Sequence, residues 1–307
     1  MNKLLQKMID EIAKASHPIT IGFPDGDDPR IIDAIKRLQN HKNIKPVLIN
    51  NKLMVSYDRK IIIDAFISAR QGKKETISDF EKWSTIPNYF AMALLRMNKL
   101  DCVIGGATTS TADLIRPALQ VVGAKVPSLT SYFWMHNDEL NYFMGDCAII
   151  PEPTESELVA IGSQISNSVL SLFNINPFIA MLSFSTNGSG GDKNQSVNNV
   201  RNASKELQAQ NYQVLGETQF DAAFDDKTRA YKWKNSNFKQ PNVYIFPDLN
   251  AGNIGYKIMK LTGNYEAVGP IVIGLNKPVN DLSRGADVHE IYTLALVTIN
   301  MALKERQ

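Results

Sequence analysis

The stretch Pro278-Val279-Asn280-Asp281-Leu282-Ser283-Arg284-Gly285 sets a hydroxyl, a guanidinium and a glycine side by side, just ahead of a long apolar helix. A polar turn of this make-up points backbone N–H groups and a fixed positive charge at one spot, where an anion or a developing negative charge can sit. A few residues on, Glu290 lies at the mouth of the helix. Two readings of it stand together. Asp287-Val288-His289-Glu290 has the form of a capping box, with Asp287 as N-cap and Glu290 reaching back to it. A carboxylate beside a cationic turn can also move a proton, and either Glu290 or Asp287 could do so. A second candidate is Gly105-Gly106-Ala107-Thr108-Thr109-Ser110-Thr111, which ends an apolar strand and opens a helix. Its small residues permit close approach, and Thr108, Thr109 and Ser110 can donate to a phosphate at the helix N-terminus or simply cap it. The lysine and spacing of a P-loop are missing. Arg116 follows inside an apolar stretch, so it needs an anion, a salt bridge or a route to solvent. Arg70 precedes the basic turn Gln71-Gly72-Lys73, which solvation alone would explain.

These groups need a scaffold, and the hydrophobic pattern supplies one. Residues 18–23 read as a short apolar strand, followed by the loop 24–28 and a helix from Pro29 with Ile31, Ile32, Ala34, Ile35 and Leu38 on one face. Residues 45–50 complete a β-α-β unit, and residues 101–105 form a strand feeding a helix that carries Leu114, Ile115, Ala118 and Leu119. Such alternation predicts a largely parallel, helix-flanked sheet. Near Pro127 the texture changes, with residues 131–135 and 142–144 flanking a polar turn as in a hairpin. A helix from Thr154 to about Phe173, a strand over 178–182, a polar helix near 197–210 and a strand over 243–246 follow. Residues 186–199, rich in Asn, Gly and Ser, read as a mobile loop. Another buried strand is expected over 270–274, ahead of the polar turn.

With 307 residues the chain is long for one core, and two domains are expected. The boundaries read as 1–126 plus 272–307 for a discontinuous first α/β domain, and 127–271 for the second. A net charge of +2 gives no reason to expect nucleic acid or a membrane surface as partner, so an anionic substrate must be met by local arginines. No stretch reaches the ~18–20 apolar residues of a membrane helix, and the N-terminus lacks the form of a signal peptide. Cys102 and Cys147 are far apart, which fits a reduced cytoplasmic protein. Cys147 reads as a small buried hydrophobe. The four histidines lack zinc-ligand spacing, and no metal is expected. Asp248 and Asn250 fall in a strand-to-helix turn, where capping is their simplest role.

Taken in order, residues 111–120, 181–186, 245–257 and 278–285 closely resemble the phosphate acetyltransferase family, within the phosphate acetyl/butyryltransferase group, and the resemblance runs from about Arg70 to the C-terminus. It implies two α/β domains with a cleft between them, of isocitrate/isopropylmalate dehydrogenase-like architecture. It also implies acetyl transfer between coenzyme A and phosphate, with coenzyme A as substrate, no tightly bound cofactor, and a homodimer. By the same resemblance Ser283 and Arg284 handle the thioester, and Arg116 and Arg70 contact substrate. The family's proposed base is an aspartate seven residues after the serine, where this chain has Glu290, one methylene longer. A carboxylate that takes a thiol proton works uphill by about 4 pKa units, roughly 6 kcal/mol. Arg284 is therefore expected to face the acyl oxygen or phosphate rather than Glu290. Where relatives often carry an arginine, this chain has Leu261 beside Lys260; if that arginine helps bind coenzyme A in relatives, either Lys260 substitutes for it here or affinity is lower.

Overall fold

The computed structural model describes residues 2–233 and 238–306. The chain divides into two compact units, Met1–Pro127 with Val268–Gln307, and Ser128–Ala267. Its strands are β1 (Ile19–Phe23), β2 (Ile44–Leu48), β3 (Cys102–Gly105), β4 (Thr130–His136), β5 (Asn141–Gly145), β6 (Ile179–Leu182), β7 (Val214–Thr218), β8 (Val243–Ile245), β9 (Glu266–Ile273) and β10 (Val279–Asp281).

In the first unit the order is β10-β3-β1-β2, and every pairing is parallel. Ile19, Ile21 and Phe23 are fully buried, the near-continuous apolar strand that helices on both faces of a parallel sheet demand. Helix Pro29–Leu38 starts as its sequence dictates, with Asp28 as N-cap and proline in the first turn. It buries Ile31, Ala34 and Leu38, while Ile32 turns outward. The C-terminal helix Val288–Glu305 packs against that helix, against helix Lys3–Ala13 and against β1 and β3. The chain runs from β1 to β2 on one side and to β3 on the other, so the order reverses beside β1. Loops leaving the carboxyl ends of strands at such a reversal are where open α/β sheets build their sites.

Two elements depart from the sequence pattern. Helix Thr111–Pro117 passes into a π-helical turn over Ala118–Val122, which rotates Leu119 out to solvent. Pro117, lacking an N–H, sits where the regular ladder gives way. The second departure is β10, a buried parallel strand inside the stretch read as a polar turn. Asn280 explains how a polar residue fits there. Its Oδ1 accepts from the N–H of Val272 at 2.8 Å, and its Nδ2 donates to Thr298 at 2.8 Å. The strand expected over 270–274 is the far end of β9, which belongs to the other sheet.

The second sheet has the order β7-β6-β8-β5-β4-β9. The hairpin β4–β5 is antiparallel, whereas β5–β8, β8–β6 and β6–β7 are parallel. Tyr132, Trp134 and Phe143 are buried beneath helix Glu155–Phe173, and Phe133 stacks on Tyr256 with ring centroids 3.8 Å apart. The Asn/Gly/Ser-rich segment is tied at its start to a buried carboxylate, while residues 187–189 and 191–196 are exposed. Glu217 accepts from Ser185 at 2.7 Å, from the Gly188 N–H at 2.8 Å and from Arg201 at 2.8 Å. Helix Gln195–Ala209 starts within this segment.

Asn280→Ala is expected to lower stability by about 1–3 kcal/mol, since it strands the buried N–H of Val272 and removes the bond to Thr298. Urea unfolding measures this; a loss near zero would show that β10 does not depend on the residue.

Candidate active site

The site is built where the loops after β1, β3 and β10 leave the first sheet. Gly106 takes φ of +98°, and a Cβ on it would lie 2.2 Å from Asp281 Oδ1, so only glycine fits. The turn it allows aims successive amides at one point, as an anion site requires. That point is already filled from within the chain. The buried carboxylate of Asp25 accepts from the N–H of Gly106 at 2.8 Å, of Ala107 at 3.3 Å and of Thr108 at 2.9 Å, and from the Thr108 hydroxyl. Ser110 is likewise engaged, as N-cap in a capping box with Asp113. Of the three residues expected to hold phosphate, Thr108 and Ser110 therefore spend these groups on the loop itself. Thr109 remains half-buried, its oxygen accepting from Asn88 at 3.4 Å.

The Ser283–Gly285 turn stands exposed beside this loop. Leu282 N–H donates to the Gly105 carbonyl at 2.7 Å, which carries the chain from β10 into the turn. Arg30 then ties the turn from another segment, donating to the carbonyls of Arg284 and Ala286 at 2.8 Å each and to that of Ala107 at 3.1 Å. The Arg284 guanidinium makes no hydrogen bond or ion pair with the described residues. Ser283 Oγ accepts from the Gly285 N–H at 3.3 Å. The capping box at the next helix is present. Asp287 Oδ1 accepts from the N–H groups of His289 and Glu290 at 2.8 Å each, and Asp287 N–H donates to Glu290 Oε2 at 3.1 Å.

Arg70 and Arg116 share a neighbourhood, for both lie within electrostatic reach of Tyr89, as does Glu75. Arg70 is held by Glu75 at 2.7 Å, and that guanidinium keeps the Glu75 carboxyl below the usual range. Its Nε is buried without a partner. Arg116 is exposed and makes neither hydrogen bond nor ion pair with the described residues. Lys260 lies on helix Leu249–Thr262 of the second unit, half-buried.

Sequence reasoning missed three residues here: Asp25, Arg30 and Asp281. Asp281 is 2% exposed; its Oδ2 accepts from Thr111 at 2.6 Å and its Oδ1 has no partner. Burial, with the nearby Asp25 charge adding to it, pushes its carboxyl up to about 7.

The comparisons with known proteins fit this geometry. The profile of the family described as phosphate acetyl/butaryl transferase matches residues 4–299. The chain belongs to this family. A phosphate acetyltransferase of Mycoplasma capricolum is 38% identical, over 97% of this chain and 99% of its own length. A phosphotransacetylase structure from Streptococcus pyogenes superposes with a TM-score of 0.87 at 36% identity, covering 98% of both chains. A 4-hydroxythreonine-4-phosphate dehydrogenase from Klebsiella pneumoniae shares the fold alone, at 10% identity and a TM-score of 0.50 over 98% of both chains.

Cys147 is fully buried and its thiol is pushed well up by burial, which suits a packing residue. Asp248 caps its helix, accepting from the Ala251 N–H at 2.8 Å. Leu261, beside Lys260, is 81% exposed, so nothing in the fold demands a leucine there. Among the described residues no group of three or more His, Cys, Asp or Glu could hold a metal ion, and no helix is long and apolar enough to cross a membrane.

Asp281 makes stability depend on pH. Its carboxyl rises from 3.8 to about 7 on folding, so the folded chain holds the proton more tightly than the unfolded one. Its contribution is complete below the unfolded value and is lost as pH climbs through about 7. Asp281→Asn keeps an acceptor for Thr111 and removes the titration. It is expected to flatten the decline in stability between about pH 4 and pH 8, measured by urea unfolding. An unaltered slope would count against this assignment.

Proposed function

We propose that the chain catalyses reversible acetyl transfer, acetyl-CoA plus phosphate giving acetyl phosphate plus CoA, with Glu290 as base and the Ser283–Arg284 turn as the acyl-activating element. The observation that carries the reading is the Arg284 guanidinium, exposed and unengaged on a turn whose backbone is tied down by Arg30. In the direction of acetyl-CoA formation, Glu290 takes the proton of the CoA thiol as sulfur attacks the acyl carbon of acetyl phosphate. Arg284 and the Ser283 hydroxyl face the acyl oxygen, which carries the negative charge of the tetrahedral species. The bond from carbon to the phosphate oxygen then breaks and phosphate leaves. In reverse, phosphate attacks the thioester, the C–S bond breaks, and the thiolate recovers its proton.

Asp287 Oδ1 already serves two amides as N-cap, which favours Glu290 over it as the base. Arg116 and Thr109 hold the phosphoryl group, and Arg70 joins them by exchanging part of its contact with Glu75. Thr108 and Ser110 act through the shape of the loop. Lys260 contributes to binding coenzyme A. Both substrates are bound at once, so much of the acceleration comes from proximity. Coenzyme A is a substrate here and no resident cofactor or metal takes part. The reading extends to a cytoplasmic homodimer, with neither nucleic acid nor membrane as partner.

Arg284→Ala is expected to lower kcat by about 100-fold or more, and Glu290→Gln by about 10²–10⁴-fold, in an assay of thiol release from acetyl-CoA with phosphate. Turnover near the parent value in both variants would sink the assignment. Acetyl-CoA should exceed butyryl-CoA in kcat/KM; the reverse order would make the chain a butyryl transferase. Tight CoA binding without any acyl transfer would leave a binding protein instead.

A further inference from the structure

Arg30 carries one more inference, which rests on the proposed role of the Ser283–Gly285 turn. A guanidinium has five N–H donors in a rigid plane. Here each nitrogen is engaged. Nη1 donates to the carbonyls of Arg284 and Ala286, both at 2.8 Å. Nη2 donates to the Ala107 carbonyl at 3.1 Å and to Asp28 Oδ2 at 2.7 Å, and Nε donates to Asp28 Oδ1 at 3.1 Å. Asp28 is itself fixed, because it caps the helix that carries Arg30 and accepts from the Arg30 N–H at 2.8 Å.

No donor remains for a substrate, so this arginine differs in kind from Arg116 and Arg284. The two carbonyls on Nη1 belong to the Arg284–Gly285 and Ala286–Asp287 peptides, so the chain is held on either side of the Gly285–Ala286 step. The turn's own bonds, from Ala286 N–H to the Ser283 carbonyl at 2.9 Å and from Gly285 N–H to Ser283 Oγ at 3.3 Å, close it on itself but do not place it. Placement comes from the shared guanidinium, which holds the turn to the loop after β3.

We propose that Arg30 is a positioning residue for acyl transfer: it locks the backbone of the Ser283–Gly285 turn against the Ala107 loop, and so sets where the Arg284 side chain and the Ser283 hydroxyl stand. Lysine keeps the charge but not the planar fork, and cannot span two loops and Asp28 from one nitrogen.

Arg30→Lys and Arg30→Ala in the full chain test this. Both should lose roughly 10- to 100-fold in kcat, the effect of misplacing a reacting group by about 1 Å, with KM for acetyl-CoA and phosphate altered by less than about threefold. Guanidinium ion should restore part of the Arg30→Ala rate and leave the parent rate unchanged. Trypsin supplies a readout free of activity: cleavage after Arg284, followed by mass spectrometry, should speed up selectively in both variants. Unchanged kcat and unchanged cleavage in Arg30→Lys would overturn the proposal. So would a rise in KM at constant kcat, which would make Arg30 a binding residue, or cleavage rising equally at all sites, which would mark general loss of stability. If Arg30→Ala does not fold, Arg30→Lys alone decides. Should Arg284→Ala keep parent turnover, the function assigned to the turn fails, while selective cleavage still judges the clamp.

Discussion

The site depends on an internal carboxylate occupying a nest built for an anion. Loops at the carboxyl ends of parallel strands present backbone groups that no strand can pair, and at a reversal of strand order those groups face one another. In this chain Asp25 closes the N–H side of the problem and Arg30 the C=O side. Both come from the short segment after β1, and between them they bond to the loop after β3 and the turn after β10. The loops are thus held in place before any ligand arrives. A consequence follows for anion recognition. The amides of Gly106, Ala107 and Thr108 are already taken by Asp25, so in the proposed function the attraction for phosphate falls to side-chain guanidinium groups.

Four arginines of the first unit show how partner groups divide one residue type among tasks. A guanidinium stays charged at any ordinary pH, so its availability is set by what surrounds it rather than by titration. Arg30 is saturated and can only hold structure. Arg70 is shared with Glu75, with one nitrogen left buried and unpaired. Arg116 and Arg284 are exposed and uncommitted. With a net charge of only +2 the chain as a whole offers an anion little attraction, and this local gradation takes its place.

Much of the frame was legible because it is written in local pattern. The apolar runs of β1 and β3, the proline-started helix at Pro29, the hairpin β4–β5 and the capping box at Asp287 each follow from residues within a few positions of one another. The unreadable parts are those whose cause lies far along the chain. Asp25 sits in a run of Pro, Asp and Gly that reads only as a turn, yet its partners are 81–83 residues away. Arg30 reads as a surface charge in a first helical turn, yet it bonds to carbonyls 254 and 256 residues on. β10 was hidden because Asn280 and Asp281 look like loop residues, and bonds to Val272, Thr298, Met301 and Thr111 make their burial tolerable. Residue type alone likewise could not say which hydroxyls of the Thr108–Ser110 stretch were spent on the fold.

The glutamate at 290 raises the question of whether one side chain can be both cap and base. The chain offers its own controls, since among the described residues four helices begin with a capping box. Asp79 and Asp113 close two of them with aspartate, while Glu157 and Glu290 close the others with glutamate. The distances from the N-cap N–H to the carboxylate are 2.8 Å and 3.3 Å for the aspartates, and 2.9 Å and 3.1 Å for the glutamates. Either residue therefore completes the box, and capping does not by itself select glutamate at 290. The extra methylene is tolerated by the helix start and its effect falls on the carboxylate's reach. The cap uses Oε2, which holds the carboxylate at the backbone N–H of Asp287. Capping thus restrains a flexible side chain, which is what the proton transfer proposed for Glu290 would call for. The two roles reinforce each other.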